Sequence, residues 1–210
     1  MSEFWDAHYL NFRLNDPSHF CKNVVLNYLK PSDYVIEVGC GNGRDAFQIA
    51  KSVKFYEGID LSQNAVNSTT ETLVKTGIKD SKYMVRQGDF SKLKLPKQVN
   101  ERLVIYSRFS LHSVSEKSEN TFLDLLTNYT GSELLVLIEA RTIFDTLFGI
   151  GNLVEKNAYI TDHYRRFIDP IEFKNRISKH FIIDSFEVNS GFAKFDDQDP
   201  IVLRAVFGNK

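Results

Sequence analysis

The chain has 210 residues, 42% of them hydrophobic, enough to bury one sizeable core and short for two, so a single domain over 1–210 is expected. Twenty-six Lys and Arg against 27 Asp and Glu leave a formal net charge of -1, which excludes a global field drawing the protein onto nucleic acid or anionic lipid. The two cysteines, Cys21 and Cys40, have no metal-like spacing, and "MSEFWDAHYL" lacks the basic start and apolar stretch of a secretory signal, so a reduced, soluble, cytoplasmic protein without metal is expected.

Residues 1–30 open with an aromatic cluster (Phe4, Trp5, Tyr9, Phe12), followed by "DPSHFCKNVVLNYL". There Asp16 or Ser18 can cap a helix whose apolar face is Phe20, Val24, Val25 and Tyr28, and the segment reads as a helical lid. Five β-branched runs come next: "YVIEVG" (34–39), "FYEGID" (55–60), "KYMVRQGD" (82–89), "RLVIYSRF" (102–109) and "ELLVLIEA" (133–140). Helical periodicity between them predicts βα units, hence an α/β fold with a mostly parallel, seven-stranded, Rossmann-like sheet covered on both faces. "HFIIDSFEVN" (180–189) and "PIVLRAVFG" (200–208) are joined by "SGFAKFDDQD", too short for a crossover helix, so one antiparallel edge strand is expected. Residues 141–169 interrupt the last crossover with a stretch too long for an ordinary loop, as expected of a substrate-binding insertion.

The first run ends in three glycines within five positions: Gly39, Gly41 and Gly43. A strand running into glycines and then a helix sets bare backbone N–H groups beside a ligand. Arg44 stands where a dinucleotide-binding loop has its third glycine, and there is no Gly-Lys-Ser/Thr ending, so a pyrophosphate is the weaker candidate. Glu37 ahead of the loop repels phosphate and attracts an amino group or sulfonium. A cofactor with a cationic end and a nucleoside end fits, and S-adenosylmethionine is one. Asp60, about 20 residues past the glycines, is placed to accept ribose hydroxyls, or else to cap the next helix.

With "GID" ending the second run, "QGDF" the third and "IYSRFSLH" the fourth, residues 30–140 resemble the class I S-adenosylmethionine-dependent methyltransferases. The resemblance implies that S-adenosylmethionine is the cofactor and S-adenosylhomocysteine the product. It puts Tyr9, Glu37, Gly39, Gly41, Arg44, Asp60, Leu61 and Tyr106 in the cofactor set, with Asp89 on the adenine amino group and Phe90 against the ring. It also places the reacting centre past the fourth strand, where His112 is the candidate base, or else a structural histidine. The chain has Tyr106-Ser107-Arg108-Phe109 and no Asn-Pro-Pro-Tyr there, which argues against base N-methylation.

"GCGNGRD", "SRFSLH", "IEARTIFDTLFGIG", "DHYRRF" and the terminal "GFA…DPIVLRAV" are similar to small methyltransferases encoded with bacterial surface-glycan and capsule biosynthesis genes. That resemblance implies O-methylation of a sugar, or of a phosphate or phosphoramidate group, by a monomer or homodimer. The side chains support an anionic acceptor: Arg108, Arg141, Tyr164, Arg165 and Arg166 with His163 as a second catalytic candidate, unless the arginines merely pair with Asp162, Asp169 or Glu139. An RNA or protein methyltransferase needs a basic groove that the near-neutral charge does not supply. A non-catalytic partner protein that keeps the cofactor fold is the remaining alternative.

Overall fold

The computed structural model describes residues 2–11, 16–97, 99 and 102–209, with the side chains of Ser2 and Asn11 excepted. Phe12, part of the expected aromatic cluster, lies outside the described residues.

The β-branched runs form strands as their pattern predicts. Strands β1 (Tyr34–Val38), β2 (Phe55–Asp60), β3 (Tyr83–Gln87), β4 (Leu103–Arg108) and β5 (Leu134–Arg141) run parallel in the order β3-β2-β1-β4-β5. Strands β6 (Asn152–Glu155), β7 (Ala158–Ile160) and β8 (Tyr164–Arg166) form a separate sheet, and β9 (Phe181–Asn189) and β10 (Val202–Asn209) complete the first one. The sheet has seven strands and ends β5-β10-β9, with β10 antiparallel to both neighbours. The reversed strand is therefore one place in from the edge, as part of an edge pair with β9.

Alternate residues of the central strands feed two cores. Ile36, Val38 and Ile105 face Phe122 and Leu126 of helix α5 (Glu116–Thr127). Val35, Val104 and Tyr106 face Phe20 of α2 (His19–Asn27) and Ile49 of α3 (Ala46–Ser52). Each such fully buried large apolar side chain stabilises the fold by roughly 1.5–3 kcal/mol.

Of the two candidate caps, Ser18 is the one used: its Oγ accepts from Cys21 N at 3.0 Å. Helix α1 (Ser2–Asn11) lies on α4 (Gln63–Lys75), with Asp6 accepting from Ser62 Oγ at 2.5 Å and Asn64 Nδ2 donating to the Asp6 carbonyl. The chain order reverses between β1 and β4, and in open α/β sheets ligands bind in the crevice beyond the strand ends at such a switch point.

The insertion is ordered by its own chemistry. Asn157 takes a left-handed conformation (φ 59°), suited to a tight turn, between β6 and β7. The rings of Phe148, Tyr159 and Phe167 cluster, Phe148 lying 5.5 Å from Tyr159 and 5.6 Å from Phe167. Helix α6 (Pro170–Ile177) follows, capped by Asp169. Among the described residues no helix is long and apolar enough to cross a membrane.

Candidate functional site

The glycine loop is held by the second strand. Gly39 and Cys40 donate their N–H groups to the Ile59 carbonyl, at 2.7 and 3.1 Å, and Gly41 N donates to Asp60 Oδ2 at 2.9 Å. Gly41 has φ +57°, and a Cβ there would lie 2.8 Å from the Tyr9 hydroxyl. At Gly43 (φ +77°) a Cβ would lie 2.8 Å from the Thr69 backbone, so a side chain is barred by both conformation and space.

Asp60 Oδ1 accepts from Ser62 N at 2.9 Å, so each carboxylate oxygen takes a backbone bond. The cap of α4 is Ser62, whose Oγ accepts from Ala65 N, and not Asp60. Burial raises the Asp60 carboxyl above its ordinary value, against the pull of its backbone donors. Glu37 is fully buried and accepts from the Tyr56 hydroxyl at 2.6 Å. Burial, then nearby Asp45, push Glu37 well up, while the Tyr56 bond and Arg108 pull the other way.

A cavity of about 390 Å³ opens beyond these strand ends, within the size range of small-ligand sites. In the half expected to take the cofactor, the structure brings together Tyr9, Glu37, Gly39, Gly41, Arg44, Asp60, Leu61 and Phe90. Arg44 Nε donates to the Asp16 carbonyl at 2.7 Å. Two expected members stand elsewhere. Tyr106 turns behind the wall and donates its hydroxyl to Asp45 Oδ2 at 2.7 Å. The Asp89 carboxylate accepts from Ser91 N and Ser91 Oγ, capping a 3₁₀ turn, and lies outside the lining; burial raises it, but the Ser91 bonds and Lys92 outweigh that and hold it low.

In the acceptor half, Arg108, His112, Arg141, His163 and Arg165 converge. Arg108 pairs with Glu139 at 3.0 Å, and Glu139 also holds Arg204 at 2.8 Å. Arg141 Nη1 donates to both oxygens of Asp145, at 3.1 and 3.0 Å, and Nη2 to Gln198 Oε1 at 3.1 Å. Between these arginines Phe109 sits at φ 57°, a conformation that costs a side-chain-bearing residue of order 1–3 kcal/mol, locked by its N–H on the Glu139 carbonyl at 2.9 Å.

His112 is buried, and among the described residues its Nδ1 has no hydrogen-bond partner. Burial, then the positive field of Arg141, Arg165 and His163, hold it well below the ordinary imidazole value and therefore neutral. His163 accepts at Nε2 from Arg165 Nη2 (3.0 Å), which puts its proton on Nδ1. That Nδ1 lies 2.9 Å from Asp162 Oδ1. Phe4 stacks on the His163 ring at 4.6 Å and Trp5 meets its edge at 5.2 Å, so α1 roofs this half.

Tyr164 and Arg166 do not reach the cavity. The Tyr164 hydroxyl binds Glu155 and the Val114 carbonyl. Arg166 binds Glu119 and the same carbonyl, tying β8 to α5. Their alternation with Arg165 is the two-residue period of a strand, which turns neighbours to opposite faces.

Sequence reasoning missed Asp45, Phe109, Phe195 and Gln198, all of which line the cavity. Asp45 had a signal in "GCGNGRD": it accepts from Ser18 N (2.7 Å), Ser18 Oγ (2.8 Å) and Tyr106, pinning α2 to the loop. Phe195 and Gln198 lie in the β9–β10 connection, whose sequence showed only that it was short.

Residues 35–129 match the family model described as "Methyltransferase domain". A probable cobalt-precorrin-6B C(15)-methyltransferase (decarboxylating) of Methanococcus maripaludis is 38% identical over 72 residues, covering 31% of this chain and 40% of that protein. The match thus spans well under half the length of that relative. An S-adenosylmethionine-dependent methyltransferase structure from Methanosarcina mazei superposes with TM-score 0.70 at 17% identity, covering 89% of this chain and 96% of that one. The CcbJ methyltransferase of Streptomyces caelestis gives 0.69 at 15% identity, covering 97% and 96%. At these identities the structures establish a shared fold. The chain therefore shares the fold of S-adenosylmethionine-dependent methyltransferases, and its residues 35–129 match a methyltransferase-domain model.

Proposed function

We propose that the protein transfers a methyl group from S-adenosylmethionine to a small anionic acceptor, and that the product is the O-methyl derivative of a sugar or of a phosphate or phosphoramidate group. The observation that carries this reading is a division of charge. Four arginines line the cavity; Arg108 and Arg141 are spent on Glu139 and Asp145, whereas Arg44 and Arg165 have no ion-pair partner among the described residues. One unspent guanidinium lies in each half, suited to the carboxylate of the cofactor and to an anion on the acceptor. The roof of Phe4 and Trp5 favours a small molecule over a polymer. The link to surface-polysaccharide or capsule biosynthesis rests on the sequence resemblance.

When bound, the cofactor supplies an electrophilic methyl on a sulfonium. Asp60 accepts the ribose hydroxyls, Glu37 faces the amino end, Phe90 lies against adenine, and the bare glycine backbone permits close approach. His112 and His163 orient the acceptor, with the neutral His112 able to take a hydroxyl proton.

The test is incubation with methyl-labelled S-adenosylmethionine and fractionated small metabolites of the source cell. Label in anionic, glycan-type metabolites, lost in His112→Asn by about 10²-fold or more, is the expected result. Label in RNA or protein overturns the small-molecule reading.

A further inference from the structure

Arg165 and His112, both lining the acceptor half, keep hydrogen-bonding capacity unspent among the described residues, and they differ in kind. Arg165 is a cation whose one hydrogen bond among the described residues goes to His163 Nε2 at 3.0 Å, leaving most of its donor fork unspent. His112 Nδ1 is a buried nitrogen with no hydrogen-bond partner among the described residues, on the turn after β4 and not on the insertion. A single oxyanion does not suit both. A guanidinium clamp withdraws electron density from the oxygen it holds and makes it a poorer nucleophile. A nitrogen lone pair has nothing to take from an oxygen that carries no proton.

Resting on the methyltransferase reading above, we propose that the acceptor is a hydroxy compound whose separate phosphate or carboxylate is a handle held by Arg165, and that the methyl group goes to an uncharged hydroxyl presented to His112. The hydroxyl oxygen forms the new O–C bond as the cofactor's C–S bond breaks, its electron pair going to sulfur. The hydroxyl proton passes to the unprotonated ring nitrogen of His112. Phosphoryl and phosphoramidate oxygens are thereby handles and not methylation sites. Burial first, then the cations Arg141 and Arg165, keep His112 unprotonated.

The chain's one tryptophan, Trp5, lies 5.2 Å from the His163 ring that contacts Arg165, so its fluorescence reads this site directly. With the protein saturated in S-adenosylhomocysteine at pH 7 and fixed ionic strength, inorganic phosphate and acetate are titrated in parallel. A saturable fluorescence change with either supports the handle, and the tighter of the two names its chemistry. Arg165→Gln is expected to weaken that midpoint at least about tenfold, Arg165→Lys less, because the fork gives two-point contact. His112→Gln is expected to leave it within about twofold, the anion being held elsewhere. No saturable change, an unshifted midpoint in Arg165→Gln, or equal weakening by His112→Gln overturns the proposal, the last because the anion then sits on His112. Calorimetry of S-adenosylhomocysteine on the same samples separates the two claims: if it fails to bind, the methyltransferase reading falls, whereas binding without an anion response removes only the handle.

Discussion

The two halves of the cavity are built from different materials. The cofactor half is framed by backbone from one local stretch, residues 37–61, with glycines at positive φ, amide groups aimed at Asp60 and the ends of β1 and β2, to which only Tyr9 and Phe90 of the expected set come from elsewhere. The acceptor half is side chains carried in from the turn after β4, the end of β5, the β8 strand, the β9–β10 connection and α1. A backbone site follows from a short local motif and changes little with surface sequence. A side-chain site depends on which charges the fold neutralises, and that is settled by residues far away in the chain.

The largest expected effect separates the halves by stability. Glu119 is buried between Arg166 and Arg176, the latter at 2.9 Å, and anchors the insertion. Glu119→Ala leaves two guanidiniums without their carboxylate and is expected to cost about 3–5 kcal/mol, measured by calorimetric or denaturant unfolding. The folded fraction should still bind S-adenosylhomocysteine within about twofold, because no backbone of the cofactor half is touched.

Asp60→Asn attacks the other half. Weakening the hydrogen bonds that a charged acceptor makes should reduce S-adenosylhomocysteine affinity by about 1.5–3 kcal/mol, roughly 10- to 100-fold by titration calorimetry, with a small change in unfolding temperature. An unchanged affinity would mean that Asp60 serves only the loop.

The halves should also respond oppositely to pH. His112 is depressed by burial, so the unfolded chain takes up its proton near pH 6.5 before the folded protein does; that stability is present above 6.5 and is lost as pH falls toward the folded value. Glu37 is raised by burial, so its contribution is full below its ordinary value of 4.5 and is lost as pH rises through the folded one. A tenfold difference in proton affinity between the folded and unfolded chains is worth about 1.4 kcal/mol. Unfolding temperatures measured from pH 5 to 8 should therefore lose their acid-side decline in His112→Gln and show a steeper one in Glu37→Gln.

This contrast also explains what was legible. The α/β sheet, the reversed strand near its end, the Ser18 cap and the glycine loop all depend on residues within a few positions of one another, and periodicity or spacing exposes them. Asp45 was not legible as an anchor because its partners Ser18 and Tyr106 are 27 and 61 positions away. Arg166 reads like an acceptor ligand in "DHYRRF" until Glu119, 47 positions earlier, is seen to claim it. Gln198 gains meaning only when the β9–β10 connection folds over β5 and meets Arg141.

The smallest expected effect tests the finest part of the comparison, the facing of β8. Three successive residues, Tyr164, Arg165 and Arg166, offer similar chemistry in sequence, and the strand's period of two gives the cavity only the middle one. Tyr164→Phe removes the hydroxyl's bonds to Glu155 and the Val114 carbonyl and should cost about 0.5–1.5 kcal/mol of stability. Midpoints for phosphate and KM for the labelled acceptor should stay within about twofold, since the hydroxyl points away from both. A tenfold rise in KM with unchanged stability would instead mean that β8 rotates when the site is loaded, and that the acceptor half is assembled by its ligand while the cofactor half stands ready beforehand.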